Sequence, residues 1–120
     1  LVDFDKFCVL ADENSDEEGF LKILAPDVTA IDRGHGLYEC VPTGYDKATA
    51  MEVILKRYGI AREDSYAFGD SMNDLAMIRY AGNSIIMEKH AKGLEPYATF
   101  ITKDVEDDGI AWAFEQLHII

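Results

Sequence analysis

The chain has 120 residues, enough for one domain or slightly more. Apolar residues make up 48% and aromatics 11%, which supports a packed core and argues against wholesale disorder. Twenty-three acids against 11 bases give a net charge of −12; that disfavours nucleic acid and anionic membrane as partners and suits a protein that holds a cation.

The chain begins at Leu1, without an initiator methionine, and runs almost at once into strand-like sequence. The expectation is a processed chain or a part of something longer. Residues 4–11 read as a strand and 16–25 as a helix with Phe20, Leu21 and Leu24 inward. Between them Asp12, Glu13, Asp16, Glu17 and Glu18 read as a solvated loop leading into a helix whose first turn favours negative charge. Their spacing lacks the alternating ligands and central glycine of a calcium loop. Residues 27–32 and 37–41 read as two strands joined through Arg33-Gly34-His35-Gly36, giving β-α-β-β. Cys8 and Cys40 have neither metal-ligand spacing nor the density of a secreted scaffold, and read as reduced, small core residues.

Val41-Pro42-Thr43-Gly44 marks a boundary, after which the pattern changes. The spacing predicts a helix over 46–58 with Ala50, Met51, Ile54, Leu55 and Tyr58 on one face and Gly59 capping its end. A strand at 65–69, a helix at 72–81 closed by Gly82, a strand at 84–87, a short helix near 91–96, a strand at 98–102 and a helix at 109–118 follow. Strands alternating with helices predict a parallel sheet. No apolar run approaches the roughly 20 residues needed to cross a bilayer and no leader pattern is seen, so the expected location is the cytoplasm.

Gly69-Asp70-Ser71-Met72-Asn73-Asp74 is the most informative stretch, because it falls where a buried parallel strand gives way to a helix. In open α/β sheets that carboxyl edge is where ligands bind. Asp70, Asn73 and Asp74 together offer two carboxylates and an amide oxygen, hard ligands suited to Mg²⁺ held partly through water. Ser71-x-x-Asp74 equally fits a capping box, and Asp70 an ordinary cap. Both readings are open on local pattern, although capping requires only one or two of the four polar residues. Lys47 falls in the first turn of a helix, where the dipole is mildly unfavourable to a cation. It reads either as a surface lysine or, should the strand ends converge, as an ammonium beside a carboxylate–phosphate cluster.

Gly44-Tyr45-Asp46-Lys47-Ala48-Thr49-Ala50, then Phe68-Gly69-Asp70-Ser71-Met72-Asn73-Asp74-Leu75-Ala76-Met77, then Asp107-Asp108-Gly109-Ile110-Ala111 resemble the haloacid dehalogenase superfamily. More narrowly they resemble its large-cap, Cof-type phosphatase branch, which acts on sugar phosphates and related small metabolites. The resemblance covers about residues 40–115, with weaker likeness of residues 1–40 to the last βαββ unit of that branch's cap. It implies an α/β chain: a cap remnant over 1–41, then over 42–120 half of a Rossmann-like parallel-sheet core. It also implies that Lys47 steadies a nucleophile and the phosphoryl group, that Asp70 is the acidic Mg²⁺ ligand, and that Asn73 and Asp74 complete the metal's surroundings and orient the lysine. The family's chemistry is phosphoryl transfer to an aspartate, then hydrolysis of the aspartyl-phosphate.

Two departures qualify the resemblance. Met87-Glu88-Lys89-His90 stands where the family has Met-Gly-Asn-Ala, and it reads as a solvated loop, with substrate contacts by Lys89 and His90 as the alternative. Asp3-Phe4-Asp5 has only Leu1 and Val2 before it and lacks the hydroxyl-bearing continuation of a nucleophile motif. It reads as the start of a cap strand, so the nucleophile is expected upstream of this chain. Arg33 and His35 read as a plain turn rather than substrate contacts, and Trp112 and Phe114 as packing residues. The expected function is a Mg²⁺-dependent phosphatase of a small phosphorylated metabolite, inactive as this chain alone. Self-association or pairing with a separate N-terminal segment is open to it. The competing reading is a non-catalytic Rossmann-like module that binds a cation or a partner.

Overall fold

In the computed structural model, which describes residues 5–120, the chain divides into two units, Leu1–Asp46 and Lys47–Ile120. The first contains β1 (Phe7–Leu10), α1 (Glu17–Leu24), β2 (Val28–Asp32) and β3 (Leu37–Pro42), the expected β-α-β-β order. Both neighbours of β3 run antiparallel to it in the order β1-β3-β2, with Phe7 opposite Cys40 on one side and Ala30 opposite Cys40 on the other. The β2–β3 connection needs three consecutive positive φ values, 86° at Gly34, 55° at His35 and 76° at Gly36. Gly36 also lies so close to Ala11 that a Cβ would sit 2.4 Å from its carbonyl oxygen.

The acidic run before α1 is partly local wiring. The Asp16 carboxylate accepts from the Gly19 amide at 2.9 Å as the helix cap, with Glu17 and Glu18 in the first turn. Two side chains depart from expectation. Cys8 is exposed, because strand alternation puts Phe7 and Val9 inward and Cys8 and Leu10 outward; Cys40 is buried as expected. Leu21 is 37% exposed, and α1 turns Phe20 and Leu24 inward instead. Arg33 donates to Glu39 at 2.7 Å and Lys6 reaches the same carboxylate at 3.2 Å, so Arg33 is tied into its own sheet. Of the Asp3-Phe4-Asp5 run, Asp3 and Phe4 lie outside the described residues.

The second unit alternates as predicted except between β5 and β6: α2 (Lys47–Tyr58), β4 (Tyr66–Gly69), α3 (Leu75–Tyr80), β5 (Asn83–Ile86), β6 (Phe100–Ile101) and α4 (Gly109–Gln116). Its three strands are parallel in the order β4-β5-β6. Ser84, Ile85 and Ile86 are all buried, the signature of a strand covered on both faces. Ala67, Ile78, Ala81, Ile86 and Leu94 form the core, with Met51, Leu75 and Met77 packed against it. Phe68 stacks on Phe114 and Phe100 on Trp112, so both aromatics of α4 are sheet-packing residues, as expected.

The differences have physical causes. The predicted helix over 72–81 is a 3₁₀ turn (Met72–Asp74) followed by α3, because side-chain caps tighten the first turn. The segment near 91–96 forms only a 3₁₀ turn, Glu95–Tyr97, since Gly93 takes φ 104° and Pro96 lacks an N–H. Gly59 caps α2 with φ 65°, its own amide and that of Ile60 returning to Lys56 and Leu55. Gly82 is needed for close packing instead: a Cβ there would lie 2.4 Å from the Arg62 carbonyl oxygen.

On α2, Leu55 is buried and Met51 half-buried, but Ala50, Ile54 and Tyr58 face outward, contrary to the periodicity. Among the described residues β4 pairs on one edge only, with β5, so no further strand covers that side of α2. Met51, Ile54, Leu55, Ile60 and Tyr66 line an apolar groove of about 240 Å³ there. No helix among the described residues is long and apolar enough to cross a membrane.

Candidate active site

The carboxyl end of β4 is built by one buried carboxylate. Gly69 closes the strand, and a Cβ on it would fall 2.7 Å from the Asp74 Cβ and 3.0 Å from Asp74 Oδ2. The absence of a side chain at 69 therefore lets Asp74 fold back under the turn. Asp74 Oδ2 accepts from the backbone amides of Asp70 (3.1 Å) and Ser71 (3.3 Å), completing the capping box of the Met72–Asp74 turn.

The other oxygen, Asp74 Oδ1, accepts from Lys47 Nζ at 2.5 Å. The Asp74 side chain is 7% exposed and that of Lys47 48% exposed, so a buried anion anchors the inner end of a cation whose outer face meets solvent. Burial raises the Asp74 carboxyl, but Lys47 and the two amides outweigh it and hold the group below its usual value of 3.8. Lys47 comes from the first turn of α2, 27 residues away in sequence, so the start of that helix meets the turn that follows β4.

The capping reading holds for Asp74. Asp74 does the capping and orients Lys47, with both oxygens engaged. Asp70, one residue past β4, is exposed at the rim, while its amide rests on Asp74 and its carbonyl accepts from the Ala91 amide at 2.7 Å. Asn73 Oδ1 accepts from the Ser71 hydroxyl at 2.7 Å. Among the described residues no cluster of three or more His, Cys, Asp or Glu side chains could enclose a metal. The donor set at this edge, one open carboxylate with an amide oxygen nearby in sequence, fits an ion that keeps most of its water, as Mg²⁺ does.

Sequence reasoning undervalued the loop after β5. Met87 N donates to Gly69 O at 3.1 Å and Ala91 N to Asp70 O, so this loop is the second wall of the β4 end. Lys89 is held to Asp104 twice, by its amide at 2.6 Å and its ammonium at 2.5 Å. The expected solvated loop is half met here: the Lys89 side chain is 79% exposed yet paired. Glu88 is exposed, and His90 is 12% exposed between Met87 O and Glu95. The signal for this wall lay in the charged residues that replace the family's Gly-Asn-Ala.

Comparison with known proteins agrees with this architecture. The haloacid dehalogenase-like hydrolase family model matches residues 2–114. A relative from Bacillus subtilis (strain 168), the 5-amino-6-(5-phospho-D-ribitylamino)uracil phosphatase YwtE, is 38% identical over 84 residues, covering 70% of this chain and 29% of its own. A solved haloacid dehalogenase-like hydrolase from Bacteroides thetaiotaomicron superposes with a TM-score of 0.79 at 30% identity over 94% of this chain and 44% of its own. The sugar phosphatase BT4131, of HAD subclass IIB, superposes with a TM-score of 0.76 at 25% identity, over 87% of this chain and 41% of its own. The chain therefore spans less than half the length of each of these relatives. The parallel sheet, the Gly69–Asp74 turn and the family match over nearly the whole sequence show that this chain belongs to the haloacid dehalogenase-like hydrolases.

Proposed function

We propose that this chain carries the cation half of a phosphatase site, within a protein that hydrolyses a small phosphorylated metabolite of the sugar-phosphate kind. The observation that carries the reading is Lys47 locked on buried Asp74 beside exposed Asp70, at the carboxyl end of a parallel strand. Lys47 offers a fixed positive charge to a phosphoryl group, and Asp74 keeps that charge in place. Asp70 would hold Mg²⁺, with Asn73 and Asp74 supporting its surroundings. When bound, the ion would polarise the phosphoryl oxygens and neutralise charge that develops on them. The named activities of YwtE and BT4131, which act on a phosphoribityl compound and on sugar phosphates, support the substrate class.

The nucleophile is assigned to a segment outside this chain. No Asp-x-Asp-x-Thr run stands in the sequence at a core-strand end, and the edge of β4 that is unpaired among the described residues, with its apolar groove, suits a further strand. The same reading makes the protein cytoplasmic, in keeping with two free cysteines.

The test has two arms. Mg²⁺ should raise the melting temperature of the chain, and Asp70→Ala should abolish that rise while leaving the metal-free melting temperature nearly unchanged. A rise of equal size in Asp70→Ala removes Asp70 from metal binding and favours the non-catalytic module. With p-nitrophenyl phosphate and Mg²⁺ the 120-residue chain should show no turnover; turnover lost in Asp3→Asn would place the nucleophile within the chain after all.

A further inference from the structure

The loop from Met87 to Ala91 ends on Asp70, and His90 stands in its last turn. The imidazole Nδ1 lies 2.7 Å from the Met87 carbonyl oxygen and Nε2 lies 3.2 Å from Glu95 Oε1. Both partners are acceptors. A carbonyl oxygen never donates, and Glu95 Oε2 already accepts from the Gly93 amide at 2.7 Å, as a carboxylate does. Backbone hydrogen bonds at Glu95 and Gly93 hold the Glu95 carboxyl below its usual value, and against an ionised Glu95 only a ring protonated on both nitrogens satisfies the two contacts together.

The next residue, Ala91, donates its amide to the Asp70 carbonyl at 2.7 Å, and Met87 donates its own to Gly69. His90 thus closes the loop on itself at Met87 while its neighbour holds the turn that bears Asp70. We propose that His90, as an imidazolium clamped between Met87 O and Glu95, is a positioning residue that holds the 87–91 loop against Asp70, so that this wall of the site is firm in mild acid and loosens as pH rises.

The balance of forces on the ring supports this. Burial alone would lower its pKa, but the Met87 carbonyl and the Glu95 carboxylate outweigh that, and the net shift is upward from 6.5. A group raised on folding contributes its stability fully below its unfolded value and loses it as pH rises through the folded one. Glu95 is the charged side chain that pairs with the ring, and the backbone at Glu88 adds to the upward pull. Lys89, the adjacent cation, is turned to Asp104 and Glu106 instead.

The inference rests on Asp70 belonging to the site, but its test needs neither metal nor substrate. Nitrogen-15 spectra of the His90 ring should show both nitrogens protonated in mild acid, with a titration midpoint above 6.5, and Glu95→Gln should bring that midpoint down. Exchange protection of the Ala91 amide should fall several-fold through the same midpoint in the parent chain. In His90→Gln, which cannot titrate, protection should not change with pH beyond the intrinsic exchange rate. A midpoint at or below 6.5 that Glu95→Gln leaves in place overturns the clamp. Ala91 protection that ignores the midpoint leaves His90 as an ordinary buried ring and overturns its positioning role. Loss of the Mg²⁺ response in Asp70→Ala is read separately, so either proposal can fail while the other stands.

Discussion

The ends of β4 and β5 are finished by the same chemical device, put to different reach. At each, a nearly buried aspartate holds a lysine ammonium at 2.5 Å: Asp74 with Lys47, and Asp104 with Lys89. Asp104 takes both the amide and the ammonium of one residue, 15 positions away, and so staples the loop after β5 to the connection between β6 and α4. Asp74 takes two amides from its own turn and an ammonium from α2, 27 positions away. One pair closes a loop, whereas the other aims a cation from a distant helix at a strand end. The lysines differ accordingly, 79% exposed at Lys89 and 48% at Lys47. An ion pair alone therefore does not mark a site; what distinguishes Lys47 is that its partner is also the cap of the turn bearing Asp70.

The comparison can be broken most forcefully at Gly69. Gly69→Ala puts a methyl 2.7 Å from the Asp74 Cβ, a short buried side chain with no room to swing. A loss of about 3 kcal/mol is expected, read as a fall in the urea midpoint, together with loss of the Mg²⁺-induced thermal shift. Asp74→Asn keeps the shape but removes the charge that meets Lys47 and two amides, and should cost about 2 kcal/mol.

That variant also tests the pH sign. Asp74 is held below 3.8, so its contribution is present above the unfolded value and lost as pH falls through the folded one. Asp74→Asn should flatten the acid limb of the stability curve below about pH 4, while its deficit persists at neutral pH. Asp104 is also held low, chiefly by Lys89, but in a more exposed pair; Asp104→Asn should lower the urea midpoint by less than Asp74→Asn does. Equal losses from the two variants would erase the distinction drawn between the strand ends. The smallest effect belongs to Lys89→Ala, which should shift the midpoint little, as exposed ion pairs do, whereas Lys47→Ala should remove the protein's affinity for phosphate analogues with the fold intact.

Much of this is legible in the sequence. The alternation after Pro42 announces a parallel sheet, and the step from Ala67-Phe68 to Gly69-Asp70 announces a strand end that turns into a helix. Ser71-x-x-Asp74 was legible as a cap, and it is one. What periodicity misjudged was α2, whose apolar stripe includes Ile54 and Tyr58. A helical period tells which residues share a face and not which face is covered, and among the described residues no strand lies beyond β4 to cover it. Cys8 was misjudged for a similar reason: residue type suggested burial, and the pleat of β1 decided otherwise.

By itself, then, the sequence determined the order of elements, the turn at Gly69–Asp74 and the presence of a lysine in the first turn of α2, because each depends on local propensity, capping or spacing. Tertiary structure alone decided which carboxylate Lys47 meets, that Asp74 is spent on it while Asp70 stays open, and that the loop bearing Lys89 and His90 leans on the Asp70 turn. Those pairings join residues 15 to 27 apart, and they depend on how far each helix and strand carries its ends, which local chemistry does not encode.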